Sequence, residues 1–371
     1  MKKLFFISFI LILIQFNTFS QTGWYWQHPY PQGNELNAIQ MDGSVGWAVG
    51  ALGTVMKTTN AGNNWEIVDL GTFETLNGVT RNTYGEIWIV GDNGLIIYSS
   101  DHGVTWIDYT GLTTENLNSV SFVYGACTWI CGDNNVVLKT TDGGENWDIF
   151  NPGFMLDLNS IDHFDCYNAW AVGDEGLIIS TTDGGTTWTS HATPTSWDLY
   201  SIDLTEFSYY RACGQAGTII HSTDQGSTWQ IEYQNNNYNL YNVDTRGIYP
   251  HAYAVGSDGT ILETTDDGVS WLPKVVYYIP NFNDVTWQAI DYNVYVVGYY
   301  GVVYKNSGIG TEFELQNEGN RLWIQSVEFL NENTGWAAGG DPGWGGTTDG
   351  VFMRTTDGGS NWEELSFSTP L

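Results

Sequence analysis

The sequence contains few basic residues. Its 371 residues include 11 Lys and Arg against 42 Asp and Glu, which gives a formal net charge of -31 at pH 7. An acidic surface of this kind repels nucleic acid and anionic membranes, so we expect no nucleic-acid partner and no membrane insertion. Charged residues make up only 14% of the chain and aromatic residues 15%. The sequence is therefore not that of a disordered acidic chain, and its aromatic side chains require a core.

Long apolar runs are also scarce, and the one that stands out lies at the N-terminus. Residues 4–16 are largely apolar and follow Lys2 and Lys3, but the run is too short for a membrane-spanning helix. This pattern predicts a secretory signal peptide over residues 1–20, cleaved after Ser20. Residues 21–371 are expected to form one domain that is secreted or periplasmic.

Cysteine is rare as well. The four cysteines allow three pairings in an exported protein. The repeats described below place Cys131 and Cys213 two units apart, too far for a disulfide, whereas Cys127 and Cys166 lie in neighbouring units and can pair. Small buried thiols are the simpler interpretation.

The familiar motifs of catalytic and metal sites are absent. The six histidines show no His-Glu-x-x-His spacing, and there is neither a Gly-x-Ser-x-Gly motif nor a phosphate-binding loop. The Asp-x-Asp-x-Asp-Gly pattern of a calcium loop is missing too. We predict no metal, no cofactor and no catalytic residues, although the many acidic residues leave a hydrolytic carboxylate pair open.

An eight-residue motif ending in tryptophan is abundant. It reads Thr-Thr-Asp-Gly-Gly-Glu-Asn-Trp over residues 140–147, a decayed copy occupies 306–313, and a full copy occupies 355–362. Spacings of 41, 41, 41, 41 and 42 residues separate its first six tryptophans, Trp65, Trp106, Trp147, Trp188, Trp229 and Trp271. Self-similarity of this kind identifies eight repeat units of about 42 residues.

Each unit contains four short β-rich runs separated by Gly, Asn and Asp. In the first unit these are residues 36–39, 47–50, 54–57 and 65–68, which predicts one four-stranded antiparallel sheet. Such sheets must pack on one another, and a closed ring protects their edges. We therefore predict an all-β fold, an eight-bladed β-propeller, with seven blades as the alternative. An N-terminal latch strand is expected near 24–27.

The eight-residue motif resembles the Asp-box, or BNR repeat, of sialidases, sortilin-type receptors and photosystem II stability/assembly-factor propellers. Residues 24–366 are most similar to exported bacterial members of the last family, whose units carry Leu-Asn-x-Val and Trp-Ala-Val-Gly; here Leu-Asn-x-Val occurs at 76–79 and 117–120, and Trp-Ala-Val-Gly at 47–50 and 170–173. The motif's carboxylates are expected to accept hydrogen bonds from turn amides and so to be structural. They belong to Asp101, Asp142, Asp183, Asp224, Asp266 and Asp357.

These features favour a non-catalytic binding or scaffold propeller, assembly-factor-like and monomeric, that recognises a protein or a glycan. The alternative is a carbohydrate-active glycoside hydrolase of an Asp-box propeller type. A sialidase is disfavoured because it needs a cluster of arginines and usually an Arg-Ile-Pro motif. That motif is absent here, and the arginines are scattered over the repeat at Arg81, Arg211, Arg246, Arg321 and Arg354.

Two groups of residues are candidates for a site. Exposed tryptophans near aspartates suit sugar stacking or peptide recognition, and the large insertion at 341–350 lies on the face opposite the Asp-boxes. This first group consists of Trp197, Trp323, Asp341, Trp344 and Asp349; as an alternative, Trp344 merely covers the edge of a blade. The second group is a polar ring around the central channel, expected to be structural: Asn37, Asn77, Asn118, Asn159, Tyr200, Tyr241, Asn283 and Gln325.

Overall fold

The computed structural model describes residues 33–82, 84–123, 127–205, 209–245, 250–276, 280–288, 293–306, 312–317, 323–330, 334–340, 350–356 and 363–364. The signal peptide and the latch strand predicted from the sequence lie outside these residues. Within them, no helix combines the length and the apolar character needed to cross a membrane.

The described chain forms eight antiparallel sheets of four strands, each in chain order. The first sheet contains β1 (Leu36–Asp42), β2 (Val45–Gly50), β3 (Val55–Thr58) and β4 (Glu66–Ile67), and the second β5 (Leu76–Arg81), β6 (Ile87–Gly91), β7 (Ile96–Ser99) and β8 (Ile107–Asp108). The third contains β9 (Leu117–Val123), β10 (Cys127–Gly132), β11 (Val137–Thr140) and β12 (Asp148–Phe150). The fourth contains β13 (Leu158–His163), β14 (Ala169–Gly173), β15 (Ile178–Thr181) and β16 (Thr189–Ser190).

The other four sheets repeat this order. The fifth contains β17 (Leu199–Leu204), β18 (Tyr210–Gly214), β19 (Thr218–Ser222) and β20 (Gln230–Tyr233), and the sixth β21 (Leu240–Asp244), β22 (Ala252–Gly256), β23 (Ile261–Thr264) and β24 (Leu272–Pro273). The seventh contains β25 (Phe282–Gln288), β26 (Asn293–Gly298), β27 (Val303–Asn306) and β28 (Phe313–Asn317). The eighth contains β29 (Trp323–Phe329), β30 (Gly335–Gly340), β31 (Gly350–Thr355) and β32 (Glu363–Glu364).

In the ring sheets the second and third strands are largely buried, whereas the outer, fourth strand is more exposed. In the second sheet every residue of β6 and β7 is buried, whereas both residues of β8 are exposed. The inner strands are rich in β-branched and aromatic residues, which pack well on a pleated surface between neighbouring sheets. The outer strand is two to five residues long in the described sheets, and its shortness limits pairing with other chains at that edge.

A β-bulge recurs at the second residue of the first strands. In β1 the pairing register shifts between Leu36 and Ala38, so Asn37 is the extra residue. Equivalent shifts occur in the first strands of the other ring sheets. A bulge changes the direction in which the side chain of its extra residue points. This explains the recurrent Leu-Asn pair, because the leucine stays in the core and the asparagine turns toward the next sheet.

An aromatic contact repeats between successive sheets. Trp47 of β2 meets Trp106, which ends the motif of the second sheet, edge to face with ring centroids 5.5 Å apart. Pairs of this kind contribute roughly 1 kcal/mol beyond the area that they bury. The same contact joins Trp88 to Trp147, Trp129 to Trp188, and Trp170 to Trp229.

The ring closes after seven sheets. Asn283 of β25 donates a hydrogen bond to the carbonyl oxygen of Leu36 at 2.9 Å, as Asn37 does to Leu76 of the next sheet at 3.0 Å. The seventh sheet thus packs on the first, which leaves β29–β32 outside the ring. The prediction of an eight-bladed propeller is wrong, and the seven-bladed alternative is correct. Every interface between neighbouring sheets uses the same contacts. The number of motifs therefore gives the number of sheets, but it does not tell how many of them form the closed ring.

The two faces of the ring carry different loops. Because neighbouring strands run in opposite directions, the eight-residue motif between the third and fourth strands lies on the same face as the hairpin between the first two; we call it the motif face. The opposite face, which we call the turn face, carries the loops that enter the next sheet. It also carries short 3-10 turns between the second and third strands, at Ala51–Gly53, Asp92–Gly94, Asp133–Asn135, Asp174–Gly176, Gln215–Gly217 and Tyr299–Gly301.

Candidate functional site

The first strands of the seven ring sheets enclose a central channel. Its cavity has a volume of about 230 Å³, below the roughly 300–1,000 Å³ of typical small-molecule sites. Residues from the start and middle of each first strand line it, for example Asn37–Gln40 and Asn159–Asp162. A channel of this size takes one long side chain or several water molecules.

A ring of seven polar residues lines this channel where the first strands begin, on the turn face. Its five asparagines each donate a hydrogen bond to the carbonyl oxygen that starts the neighbouring first strand, at 2.9–3.1 Å. The predicted structural role is confirmed for these asparagines, whereas Gln325 belongs to the eighth sheet, outside the ring. We call this ring the channel mouth: Asn37, Asn77, Asn118, Asn159, Tyr200, Tyr241 and Asn283.

Tyrosine replaces asparagine in two adjacent sheets of the channel mouth. The rings of Tyr200 and Tyr241 lie with their centroids 5.7 Å apart and their planes tilted by 47°. Burial, followed by the nearby carboxylate of Asp198, raises the pKa of Tyr200 to about 12. The phenol therefore keeps its proton at neutral pH and can donate a hydrogen bond to a ligand.

Carboxylates surround one side of the channel mouth. Asp133 and Asp174 begin 3-10 turns, and they accept hydrogen bonds from the mouth residues Asn118 and Asn159 at 2.9 and 3.1 Å. Two further carboxylates precede the first strands and accept hydrogen bonds from turn backbone N–H groups at 2.7 and 2.9 Å. We call these four residues the acidic rim: Asp133, Asp157, Asp174 and Asp198.

The rim carboxylates repel one another. Burial raises the pKa of Asp174, the hydrogen bond from Asn159 opposes that effect, and the charges of Asp198, Asp157 and Asp133 raise the pKa further. Among the residues that the structure describes, no three His, Cys, Asp or Glu side chains are grouped as metal ligands. The acidic rim lies along one side of the mouth and favours positive charge beside it.

Four basic side chains of the ring bind the opposite, motif face. Arg81 donates hydrogen bonds to the carbonyl oxygens of Asp42 and Val45 at 3.2 and 3.0 Å. Lys57, Lys139 and Lys305 each donate to a carbonyl oxygen in a motif turn. Over the described ranges, none of the ion pairs reaches the acidic rim. These four basic side chains therefore lie on the same face as the motif aspartates, and the acidic rim on the turn face has no ion-pair partner among the described residues.

The aspartates of the motif turns are hydrogen-bonded within their own turns. Asp101 accepts from the backbone N–H groups of Val104 and Thr105 at 3.0 and 2.8 Å, and from the Thr105 hydroxyl at 2.6 Å. These bonds, first those from Thr105, lower the pKa of Asp101 to about 2. Asp357 lies outside the described residues. In the other described motif turns the aspartate also accepts a hydrogen bond from the backbone N–H of the residue four positions later, and its pKa is lowered. These aspartates are Asp142, Asp183, Asp224 and Asp266.

Arg211 stands where other sheets have an aromatic residue, and it is buried. Its Nε donates to both carboxylate oxygens of Glu232 at 3.2 and 3.1 Å, and Nη2 donates to Asp267 at 3.1 Å. Its guanidinium lies 4.3 Å from the ring centroid of Tyr209 and 5.9 Å from that of Trp271. Because Trp271 ends the motif of the next sheet, Arg211 supplies a cation–π contact where other seams have an aromatic pair.

The residues predicted to bind a ligand are only partly described. Trp197 lies on the turn face, next to the rim residue Asp198, with 42% of its surface exposed. Trp323 begins β29 in the eighth sheet and so does not belong to the ring. Asp341, Trp344 and Asp349 lie outside the described residues, and their place in a site stays a prediction.

Sequence reasoning missed the acidic rim, although a signal for it existed. Asp133 and Asp174 follow the Gly that ends the second strand, and Asp157 and Asp198 precede the Leu that starts the first strand, each pair 41 residues apart. The 41-residue spacing marks these carboxylates as repeated, and the alternating strand directions place them on the turn face.

Comparison with known families agrees with this geometry. A family model described as photosynthesis system II assembly factor YCF48 matches residues 68–153 and 153–238, which span the second to fifth sheets. A search of curated proteins finds no match.

Solved structures share the fold at low sequence identity. YCF48 bound to D1 peptide is 20% identical, with a TM-score of 0.62 over 76% of this chain and 93% of that one. YCF48 from Cyanidioschyzon merolae is 18% identical, with a TM-score of 0.62 over 75% and 97%. An ancestral GH74 enzyme is 15% identical, with a TM-score of 0.68 over 92% of this chain but only 55% of that one. The repeated motifs, the ring that they build and the family match identify this chain as a YCF48-like propeller of BNR repeats.

Proposed function

We propose that this chain is a non-catalytic, extracytoplasmic binding propeller of the assembly-factor type, which holds a cationic, extended segment of a partner protein at the channel mouth. The negative charge of the acidic rim, which no described ion pair neutralises, carries this proposal. The acidic rim occupies the turn face, while the basic side chains described above are held on the motif face. A positive group bound at the rim would relieve the mutual repulsion of its carboxylates.

The dimensions of the channel favour a side chain as the bound group. A cavity of about 230 Å³ admits an arginine or lysine side chain but no folded element. Around it, asparagine side-chain oxygens offer acceptors to a backbone, and two phenols offer donors. Trp197 is exposed beside Asp198, so a cation held by the rim can also lie over an aromatic face.

The solved complex of YCF48 with D1 peptide supports a protein segment over a glycan as the partner. The glycoside hydrolase alternative has no comparable support, since GH74 neighbours at this identity share the fold and this chain spans 55% of the ancestral enzyme's length. One copy of the chain supplies the complete channel mouth, and we therefore propose that it acts as a monomer.

A peptide-library selection tests the proposal. Ten-residue peptides bound by the purified protein should be enriched in Lys and Arg, and added salt should weaken the binding. The double variant Asp174→Asn, Asp198→Asn should lower the affinity roughly tenfold, measured by fluorescence anisotropy. The control, Glu66→Gln with Asp148→Asn, removes the same charge from exposed outer strands and should leave the affinity unchanged.

Other outcomes would decide against the proposal. Selection of neutral or acidic peptides, or equal affinities in the rim and control variants, would show that the channel mouth does not bind a cationic segment. Binding or cleavage of oligosaccharides in a parallel glycan panel would favour the hydrolase instead.

A further inference from the structure

The third and fourth sheets bring two thiols together on the motif face. Cys127 begins β10 and is buried, and Cys166 lies in the hairpin between β13 and β14, where it is partly buried. Both pack in one apolar cluster, where burial raises the pKa of the Cys127 thiol and Cys166 is close enough to raise it further. Both cysteines are unpaired thiols in this structure.

Other contacts hold this seam on both sides of the thiols. Nδ1 of His163 in β13 is hydrogen-bonded to the hydroxyl of Ser121 in β9 at 2.9 Å. Nζ of Lys139 in β11 donates to the carbonyl oxygen of Gly184 in the fourth sheet at 3.1 Å, and Gly184 itself lies against the backbone of Cys166. The two hairpins are therefore fixed relative to each other, with the thiols between them.

We propose that Cys127 and Cys166 are a redox-responsive pair that forms a disulfide across this seam by exchange with a small-molecule or protein disulfide. The thiolate of Cys166 attacks the reagent disulfide, so a mixed disulfide forms and one reagent thiolate leaves. The thiolate of Cys127 then attacks Sγ of Cys166 and expels the second reagent thiolate. The two cysteines lose two protons and two electrons, and the reagent disulfide gains the electrons.

The order of attack follows from exposure and charge. Cys166 is the more exposed of the two, so it meets the reagent first. Burial raises the pKa of the Cys127 thiol, and the nearby ammonium of Lys139 opposes that effect. Cys127 therefore reacts only with a sulfur already held beside it.

The remaining two cysteines serve as internal controls. Cys131 and Cys213 are fully buried, and each donates its S–H to a carbonyl oxygen of the next sheet, at 3.7 and 3.6 Å. Neither is expected to react while the ring stays folded.

The test is oxidation of the full folded chain with oxidised glutathione, followed by alkylation, proteolysis and mass spectrometry. We expect the intact mass to fall by two hydrogens, a peptide containing Cys127 to be linked to one containing Cys166, and the melting temperature to rise by several degrees over the reduced protein. Cys131→Ser should keep the link, and Cys166→Ser should abolish it.

Three results would overturn the proposal: glutathione that remains on Cys166, a link that includes Cys131 or Cys213, or full alkylation of all four thiols after oxidation. The peptide map of the unmodified sequence decides among them even if a serine variant does not fold.

Discussion

The hydroxyl of Tyr295 in the seventh sheet donates a hydrogen bond of 2.9 Å to the carbonyl oxygen of Ala61 in the first. Ala61 lies in the first motif turn, and Tyr295 packs in one apolar cluster with Trp65, which ends that motif. The closing seam is thus built from the same parts as the others, a second-strand aromatic against the next motif turn.

Tyr295→Ala is expected to lower the free energy of unfolding by about 3–5 kcal/mol, because it removes a fully buried aromatic ring from the closing seam. Tyr295→Phe keeps the ring and removes only the hydrogen bond, so we expect a loss of about 1 kcal/mol. Urea unfolding measures both. A Tyr295→Ala protein as stable as the parent would show that the ring does not close at this seam.

Gly226→Ala tests how closely the motif turn approaches the preceding sheet. Gly226 has φ +77°, and a Cβ there would lie 2.2 Å from the ring of Trp170. We expect a loss of roughly 2–4 kcal/mol from the left-handed backbone and the clash together. Gly71→Ala is the matched control, since its φ is +74° with nothing within 4 Å, and it should cost only about 1–2 kcal/mol. Equal losses would contradict the packing argument.

Acid should unfold the ring between about pH 4 and pH 2. The motif aspartates have folded pKa values below their ordinary value of 3.8, with that of Asp101 at about 2. Their stabilising contribution is therefore complete above pH 4 and is lost as the pH falls through the lowered values. Tryptophan fluorescence at graded pH measures the transition. A free energy of unfolding that stays constant between pH 4 and pH 2 would show that these carboxylates do not stabilise the turns.

Asp174 should show the opposite pH dependence. Its folded pKa is raised, so its contribution to stability is present at low pH and is lost as the pH rises through the raised value. Asp174→Asn is therefore expected to be as stable as the parent at pH 7, or more stable by up to about 0.5 kcal/mol, and to gain nothing at pH 3. Thermal melts at both pH values test this, and a variant destabilised at pH 7 would contradict it.

Much of the fold could be predicted from the sequence because the relevant interactions are local. The Asp142 turn depends on residues no more than four positions apart, so the 41-residue spacing of its motif predicts where third and fourth strands meet. The Leu-Asn pair likewise predicts a buried leucine and an asparagine turned to the neighbouring strand. The two thiols, Cys127 and Cys166, were placed in adjacent units by the same repeat.

The channel mouth was harder to predict. Its polar ring could be read from the repeat, but the importance of Asp174 depends on carboxylates that come from three different units and meet on the turn face. Arg211 could be recognised as an exception at an aromatic position, while its partners Glu232 and Asp267 could not, because they lie 21 and 56 residues away.

The sequence by itself determined eight repeat units, the four strands of each, and the chemistry of the turns, since all of these depend on residues close together in the chain. Only the tertiary structure decided that seven sheets close the ring and that the eighth stays outside. Closure depends on the small angle between successive sheets summed over the whole circle, and no single repeat records that angle. The packing of the third, fourth and fifth sheets likewise decided which carboxylates meet at the channel mouth, because they come from separate repeats and approach one another only when those sheets pack side by side.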